Sequence, residues 1–185
     1  TLFRSEFLVH GQNLDWKRFV SDSHISFLRN EIEAVRKHTP DIPVTTNLMY
    51  YNEGIDYVKL ANELDIVSWD NYPRWNAERD SFSVALDTAF FHDRIRSLKH
   101  QPFILMESSP SSTNWQNTAC LKTPGMHEAA SLQAVAHGSD SVQYFQWRKS
   151  RGCSEKFHGA VVSHDGRSDT RVFREVSKLG LDLEK

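Results

Sequence analysis

An α/β fold with a parallel sheet is predicted by three observations. Short apolar runs alternate with segments of helical period. The run at Phe103 to Met106 is apolar on both faces, as in a buried strand of a parallel sheet covered by helices. Each run ends in polar residues that open into a loop, and one of them ends in a glutamate. That run is Phe103-Ile104-Leu105-Met106, closed by Glu107 and followed by a serine-rich loop that carries Trp115. A carboxylate at the C-terminal tip of a parallel strand sits where α/β barrels place their chemistry. The competing reading is an ordinary glutamate facing solvent at a loop start.

The same pattern recurs along the chain. Pro43 to Asn47 reads as a strand, as do Ile66 to Pro73 and Ser141 to Arg148. With the run that ends at Glu107, the strand tips gather Asn47, Asp70, Asn71, Tyr72, Glu107, Gln146, Trp147 and Arg148. Polar groups collected at one end of parallel strands form a binding face.

The helices follow from spacing. Trp16, Phe19, Val20, Phe27, Leu28, Ile32 and Val35 recur at helical intervals and predict a core-facing stripe, ended by Pro40. Tyr57, Val58, Ala61 and Leu64 predict a shorter helix. Ser81 is the expected cap of a helix that buries Phe82, Leu86, Ala89, Phe90 and Leu98. Met126 to His137 is helix-like and Gly138 suits its stop. Val172, Phe173, Val176 and Leu179 predict a last helix stopped by Gly180. An eight-stranded α/β barrel takes about 250 residues. With four strands, this chain reads either as a small open α/β domain or as about half of a barrel.

Composition excludes some functions. Lys and Arg number 22 against 24 Asp and Glu, so there is no basic field for nucleic acid. No apolar run is long enough for a membrane span, and no signal peptide is read. The opening Thr-Leu-Phe-Arg reads as a cut inside a longer protein. Cys120 and Cys153 lack the spacing of zinc ligands and are expected to be free thiols in a reducing compartment, which makes the protein cytoplasmic. Nine histidines raise the question of a metal. Glu155 and His158 have the Glu-x-x-His spacing of carboxylate metal sites, but the pair stands alone on a loop. A carboxylate and an imidazole there suit sugar hydroxyls better, and no metal or cofactor is expected.

Several blocks resemble glycoside hydrolase family 42 β-galactosidases. They are Leu14 to Phe19, Pro40 to Asn47, Val67 to Pro73, Pro102 to Glu107 with Pro110-Ser111 and Asn114-Trp115, Gly125 to Gly138, and Tyr144 to Arg148 with Ser150 to Gly152 and Glu155 to His158. The resemblance spans nearly the whole chain. It implies a retaining β-galactosidase on a (β/α)8 barrel, of which residues 1–185 would be a single partial domain. The strands would be the fifth to eighth, the C-terminal half. Glu107 matches the nucleophile. Trp115, Glu155 and His158 match residues lining the galactose site, and Tyr72 and Asn47 are added as substrate-binding residues at neighbouring strand tips. The family's acid/base glutamate follows an asparagine at the tip of strand four. Here Asn30-Glu31 lies inside a helix and Asn62-Glu63 at a helix end, so the acid/base is expected outside this chain. The expected partner is a galactoside, with neither nucleic acid nor membrane. A half-barrel leaves strand edges open near Val44 and Val142, so a homo-oligomer is also expected.

Overall fold

The computed structural model describes residues 9–50, 52–75 and 80–184. Four strands, β1 (Asn47–Leu48), β2 (Ser68–Asp70), β3 (Phe103–Glu107) and β4 (Ser139–Val142), form one parallel sheet in chain order. Helix α1 (His10–Arg36) precedes β1. Helices α2 (Tyr57–Glu63), α3 (Ser81–Ser97) and α4 (Met126–Ala136) make the three crossovers, and α5 (Arg171–Leu183) follows β4. Parallel neighbours need such crossovers, which brings every strand tip to the same side.

The strand expectations hold in place and order, with changed bounds. β3 occupies the expected residues. β1 is shorter than read, but Val44 still joins the structure: its carbonyl accepts from Asp65 N at 3.0 Å and its N–H donates to the Asp65 carboxylate at 2.7 Å. β4 starts at Ser139, two residues early, and the chain leaves the ladder after Val142. Beyond it, residues 146–149 pair instead with 159–162, and Phe145-Gln146 is a cis peptide.

The core lies between the sheet and α1–α4, centred on Leu60, Ala61, Val67, Trp69, Phe103 and Leu105. The expected apolar stripe is only partly buried on α1, where Leu28 and Ile32 face the core, and mostly points outward on α3. On α1 the buried positions are Ser21, Ile25, Leu28 and Ile32, while Trp16, Phe19, Phe27 and Val35 are exposed. The helix carries more apolar residues than one face can bury, so spacing alone marks two faces. On α3, Phe82 (77% exposed), Leu86 and Phe90 form a true stripe that points outward. The inward face is Val84, Thr88, His92 and Ile95. It reads as polar in sequence, yet Thr88 returns its hydroxyl to Val84 O at 2.8 Å and His92 stacks on Phe103.

Caps and stops show the local chemistry. Asp80, not Ser81, caps α3, accepting from Ser83 N at 2.9 Å, because its carboxylate reaches back to an orphan N–H of the first turn. Gly138 stops α4 as expected, at φ +97°. Gly180 does not stop α5: the helix continues to Leu183, and Glu184 N bonds to Gly180 O at 3.2 Å. Two glycines therefore carry opposite expectations. A Cβ on Gly180 meets open space, so Gly180→Ala should stabilise by about 0.5–1 kcal/mol through helix propensity. A Cβ on Gly159 would lie 2.5 Å from Ser112 O and 2.6 Å from Ser112 N, besides crowding the Ser111 hydroxyl. Gly159→Ala should therefore cost about 1–3 kcal/mol, the range for overpacking. Thermal melts of both variants check the pair, and equal shifts would contradict it.

Candidate active site

Three strand tips converge on Glu107. Pairing of β2 with β3 sets Asp70 beside Glu107, across a register irregularity between Trp69 and Asp70. The backbone beyond Asp70 stays attached, because Asn71 N donates to Glu107 O at 2.9 Å. That contact turns Tyr72 toward the carboxylate, and its hydroxyl donates to Glu107 Oε2 at 2.7 Å. From β1, Asn47 Nδ2 donates to Glu107 Oε1 at 3.3 Å and to Asp70 Oδ1 at 2.8 Å. Both oxygens of Glu107 thus have a neutral donor.

The electrostatics follow from burial and proximity. Asp70 is only 7% exposed. Burial and then the Glu107 charge push its carboxyl up to about 7, opposed by the Asn47 hydrogen bond. Burial, followed by the hydrogen bond to Glu107 and that carboxylate's charge, also raises the Tyr72 phenol. Tyr72 therefore stays a neutral donor near neutral pH.

Aromatic rings build a cup beside this carboxylate. Tyr72 stands edge-on to Trp115, at 5.5 Å between centroids, and to His158 at 5.7 Å. Phe145 closes on His158 at 5.0 Å. Trp115 leaves half its surface to solvent. His158 is fully buried, with Nδ1 at 3.3 Å from Asn114 Oδ1 and no hydrogen-bond partner for Nε2 among the described residues. Burial lowers its pKa, which keeps the imidazole neutral. Glu155 lies on an exposed turn, and its charge reaches both His158 and Tyr72. A cavity of about 870 Å³ adjoins the cup and shares Tyr72 and Trp115 with it.

The loop after Glu107 is fastened from several sides. Ser108 Oγ donates to Gln143 O at 2.8 Å, and Ser109 Oγ donates to Ser112 O at 2.7 Å. Gly159 N donates to Ser112 O at 2.8 Å, which is why that glycine must lack a side chain. The buried Lys122 donates its ammonium to Ser109 O at 2.6 Å, and burial pushes its pKa down to about 8. Asn114 joins the two loops through Ser154 O at 2.6 Å.

Glu107, Tyr72 and Asn47 are therefore in one hydrogen-bonded group, and Trp115 and His158 flank it through Tyr72. Glu155 stands at the rim. Asp70 stands among the strand-tip residues and Asn114 beside Trp115 in sequence, but neither carries an expected role of its own. Nothing in the sequence marks Lys122, whose role depends on a carbonyl across a fold. Among the described residues no group of three or more His, Cys, Asp or Glu side chains could hold a metal. His158 is engaged by Asn114 rather than paired with Glu155.

Comparison with known proteins shows the family of the chain. Residues 3–185 match the glycoside hydrolase family 42 model, described as β-galactosidase. A β-galactosidase of Alicyclobacillus acidocaldarius is 55% identical over 177 residues, covering 96% of this chain and 26% of the relative. One from Clostridium perfringens is 58% identical over 181 residues, with 96% and 26% covered. The crystal structure of a β-galactosidase from Rahnella sp. superposes with a TM-score of 0.94 at 56% identity, covering 98% of this chain and 27% of that one. The chain spans about a quarter of the length of these relatives. With the family model matched along nearly its whole length, the chain belongs to glycoside hydrolase family 42, and its four parallel strands correspond to part of that family's α/β barrel.

Proposed function

We propose that this chain is the strand-five-to-eight half of the catalytic barrel of a retaining β-galactosidase, a single partial domain over residues 1–185. Glu107 is its nucleophile, attacking the anomeric carbon of a terminal β-D-galactoside to give a glycosyl-enzyme intermediate. The observation that carries this reading is the carboxylate itself. It sits at the tip of β3 and is held by Tyr72 and Asn47 through both oxygens. These two neutral donors aim the carboxylate, and neither of them is a cation. The acid/base carboxyl comes from a strand outside these residues, since Asn30-Glu31 and Asn62-Glu63 lie in α1 and α2. A mechanism-based 2-fluoro galactoside should label Glu107 in the full-length protein, and label found on another residue would overturn the assignment.

In the same reading Trp115 packs on the apolar face of galactose and Glu155 meets its hydroxyls, while the buried His158 ring supports the sugar site from behind through Tyr72 and Asn114. Tyr72 and Asn47 act on the sugar through Glu107 and through their remaining hydrogen-bonding capacity. Glu155→Ala should lower kcat/KM by about 10- to 100-fold, as for a lost hydrogen bond to a charged group worth about 1.5–3 kcal/mol, and His158→Ala should lower it by loosening that support. Retained activity in both variants, or activity abolished by a chelator and restored by metal bound at these residues, would refute the role.

The two free cysteines fit a cytoplasmic protein, and no helix among the described residues is long and apolar enough to cross a membrane. A homo-oligomer is part of the proposal. Its support is the outward apolar stripe of Phe82, Leu86 and Phe90, an association surface by its character.

A further inference from the structure

Asp70 is a buried carboxyl that the mechanism above does not use, and it lies against the group that does the chemistry. Its Oδ1 takes one hydrogen bond from Asn47 Nδ2, at 2.8 Å. The same nitrogen also donates to Glu107 Oε1, at 3.3 Å. An amide nitrogen has two hydrogens, so one goes to each carboxyl group. Without Asp70, nothing in this group fixes the plane of the Asn47 amide, which could turn its oxygen toward Glu107 and repel it.

We propose that Asp70 is a positioning residue for the nucleophile: it orients the Asn47 amide and thereby the attacking oxygen of Glu107. The inference rests on the reading of Glu107 as nucleophile. It predicts a pH signature as well. The titratable groups facing Asp70 are Glu107 from β3 and Tyr72 just beyond its own strand, while β1 brings only the neutral Asn47 amide. Asp70 holds its proton below about pH 7, because burial and the Glu107 charge disfavour a second anion.

When Glu107 forms its ester with the sugar it loses its negative charge. The leaving oxygen takes a proton from the acid/base residue, so the ester forms without drawing on Asp70. Repulsion between the two carboxyl groups then disappears, and Asp70 becomes the stronger acid. By linkage, ionised Asp70 favours the glycosylation step, so kcat/KM rises as pH climbs through about 7.

Asp70 could instead be read as the acid that protonates the leaving oxygen, since unequal pKa values mark such pairs. Its burial and its place on the strand adjacent to Glu107 argue against that. An acid must flank the scissile bond opposite the nucleophile.

The test uses the full-length enzyme containing this chain, with the isosteric Asp70→Asn and with Asn47→Ala. Asparagine keeps an acceptor oxygen for Asn47 but cannot ionise, so Asp70→Asn should lower kcat/KM by about 10- to 100-fold above the limb and leave it near the parent value below. The loss should be equal for aryl galactosides with good and poor leaving groups, and the limb near pH 7 should vanish. Asn47→Ala should lower kcat/KM by a similar factor and move that limb upward, since the hydrogen bond that lowers the Asp70 pKa is gone. The double variant should be little worse than either single one. A loss confined to poor leaving groups would make Asp70 an acid and overturn the proposal. So would an unchanged limb, or additive losses, in folded variants. Should Asp70→Asn not fold, Asn47→Ala decides alone by its limb. Labelling by the 2-fluoro galactoside keeps the two ideas apart: label away from Glu107 removes the nucleophile reading, whereas label on Glu107 with an unshifted pH limb removes only the role of Asp70.

Discussion

Replacing Glu107 with glutamine in the full-length protein that contains this chain should cut kcat on β-galactosides on the order of 10⁴-fold or more, the scale of losing the proposed nucleophile. Glutamine keeps the shape and can still accept from the Tyr72 hydroxyl, so the fold should survive. What disappears is the carboxylate oxygen proposed to bond the anomeric carbon. Glu107→Ala adds a sharper check. It opens space where the carboxylate stood, and azide entering there can displace the leaving sugar once. A single displacement inverts the anomeric centre, whereas the two displacements of the parent enzyme retain it. Recovery of an inverted glycosyl azide identifies the face from which Glu107 acts. Turnover by Glu107→Gln within about tenfold of the parent would remove the residue from this role.

The alternation of apolar runs and helical periods made the parallel sheet legible, because parallel neighbours need a crossover between them. β3 could be bounded to the residue, since Pro102 precedes it and the polar Ser108 follows. The faces of α1 and α3 could not be read in the same way. Burial of Thr88 and His92 depends on a hydroxyl that bonds within its own helix and on a ring that stacks on Phe103. Periodicity scores such residues as polar. Strand-tip residues of the site were legible for a topological reason: every tip of a parallel sheet points one way. Which of them touch was not, because it depends on the β2–β3 irregularity at Trp69 and Asp70. That irregularity sets Asp70 beside Glu107 and makes Asn47 a bridge between carboxyl groups. The serine loop hid its fastening for the same reason, because its partners Gln143, Lys122 and Gly159 come from later in the chain.

By itself, the 185-residue chain should hydrolyse β-galactosides at least about 10²–10⁴-fold more slowly than the full-length enzyme, the usual worth of general acid–base help. A retaining glycosidase needs a second carboxyl about 5–5.5 Å from the nucleophile, on the side of the leaving oxygen. Among the described residues, the carboxyl hydrogen-bonded into the Glu107 group is Asp70, which is buried and turned toward Asn47. It cannot reach a leaving group on the open side. Glu155 is at the rim, on the turn beside His158, where its charge reaches His158 and Tyr72. The deficit should therefore depend on the substrate. Aryl galactosides whose phenolate leaves unaided need little protonation and should narrow the gap; alkyl galactosides and disaccharides should leave it wide. Adding the rest of the protein as a separate chain should restore the slow substrates most if the two parts assemble. Purified chain that turns over alkyl galactosides near the full-length rate, with the activity abolished by Glu107→Gln, would mean that an acid within these residues serves the leaving group.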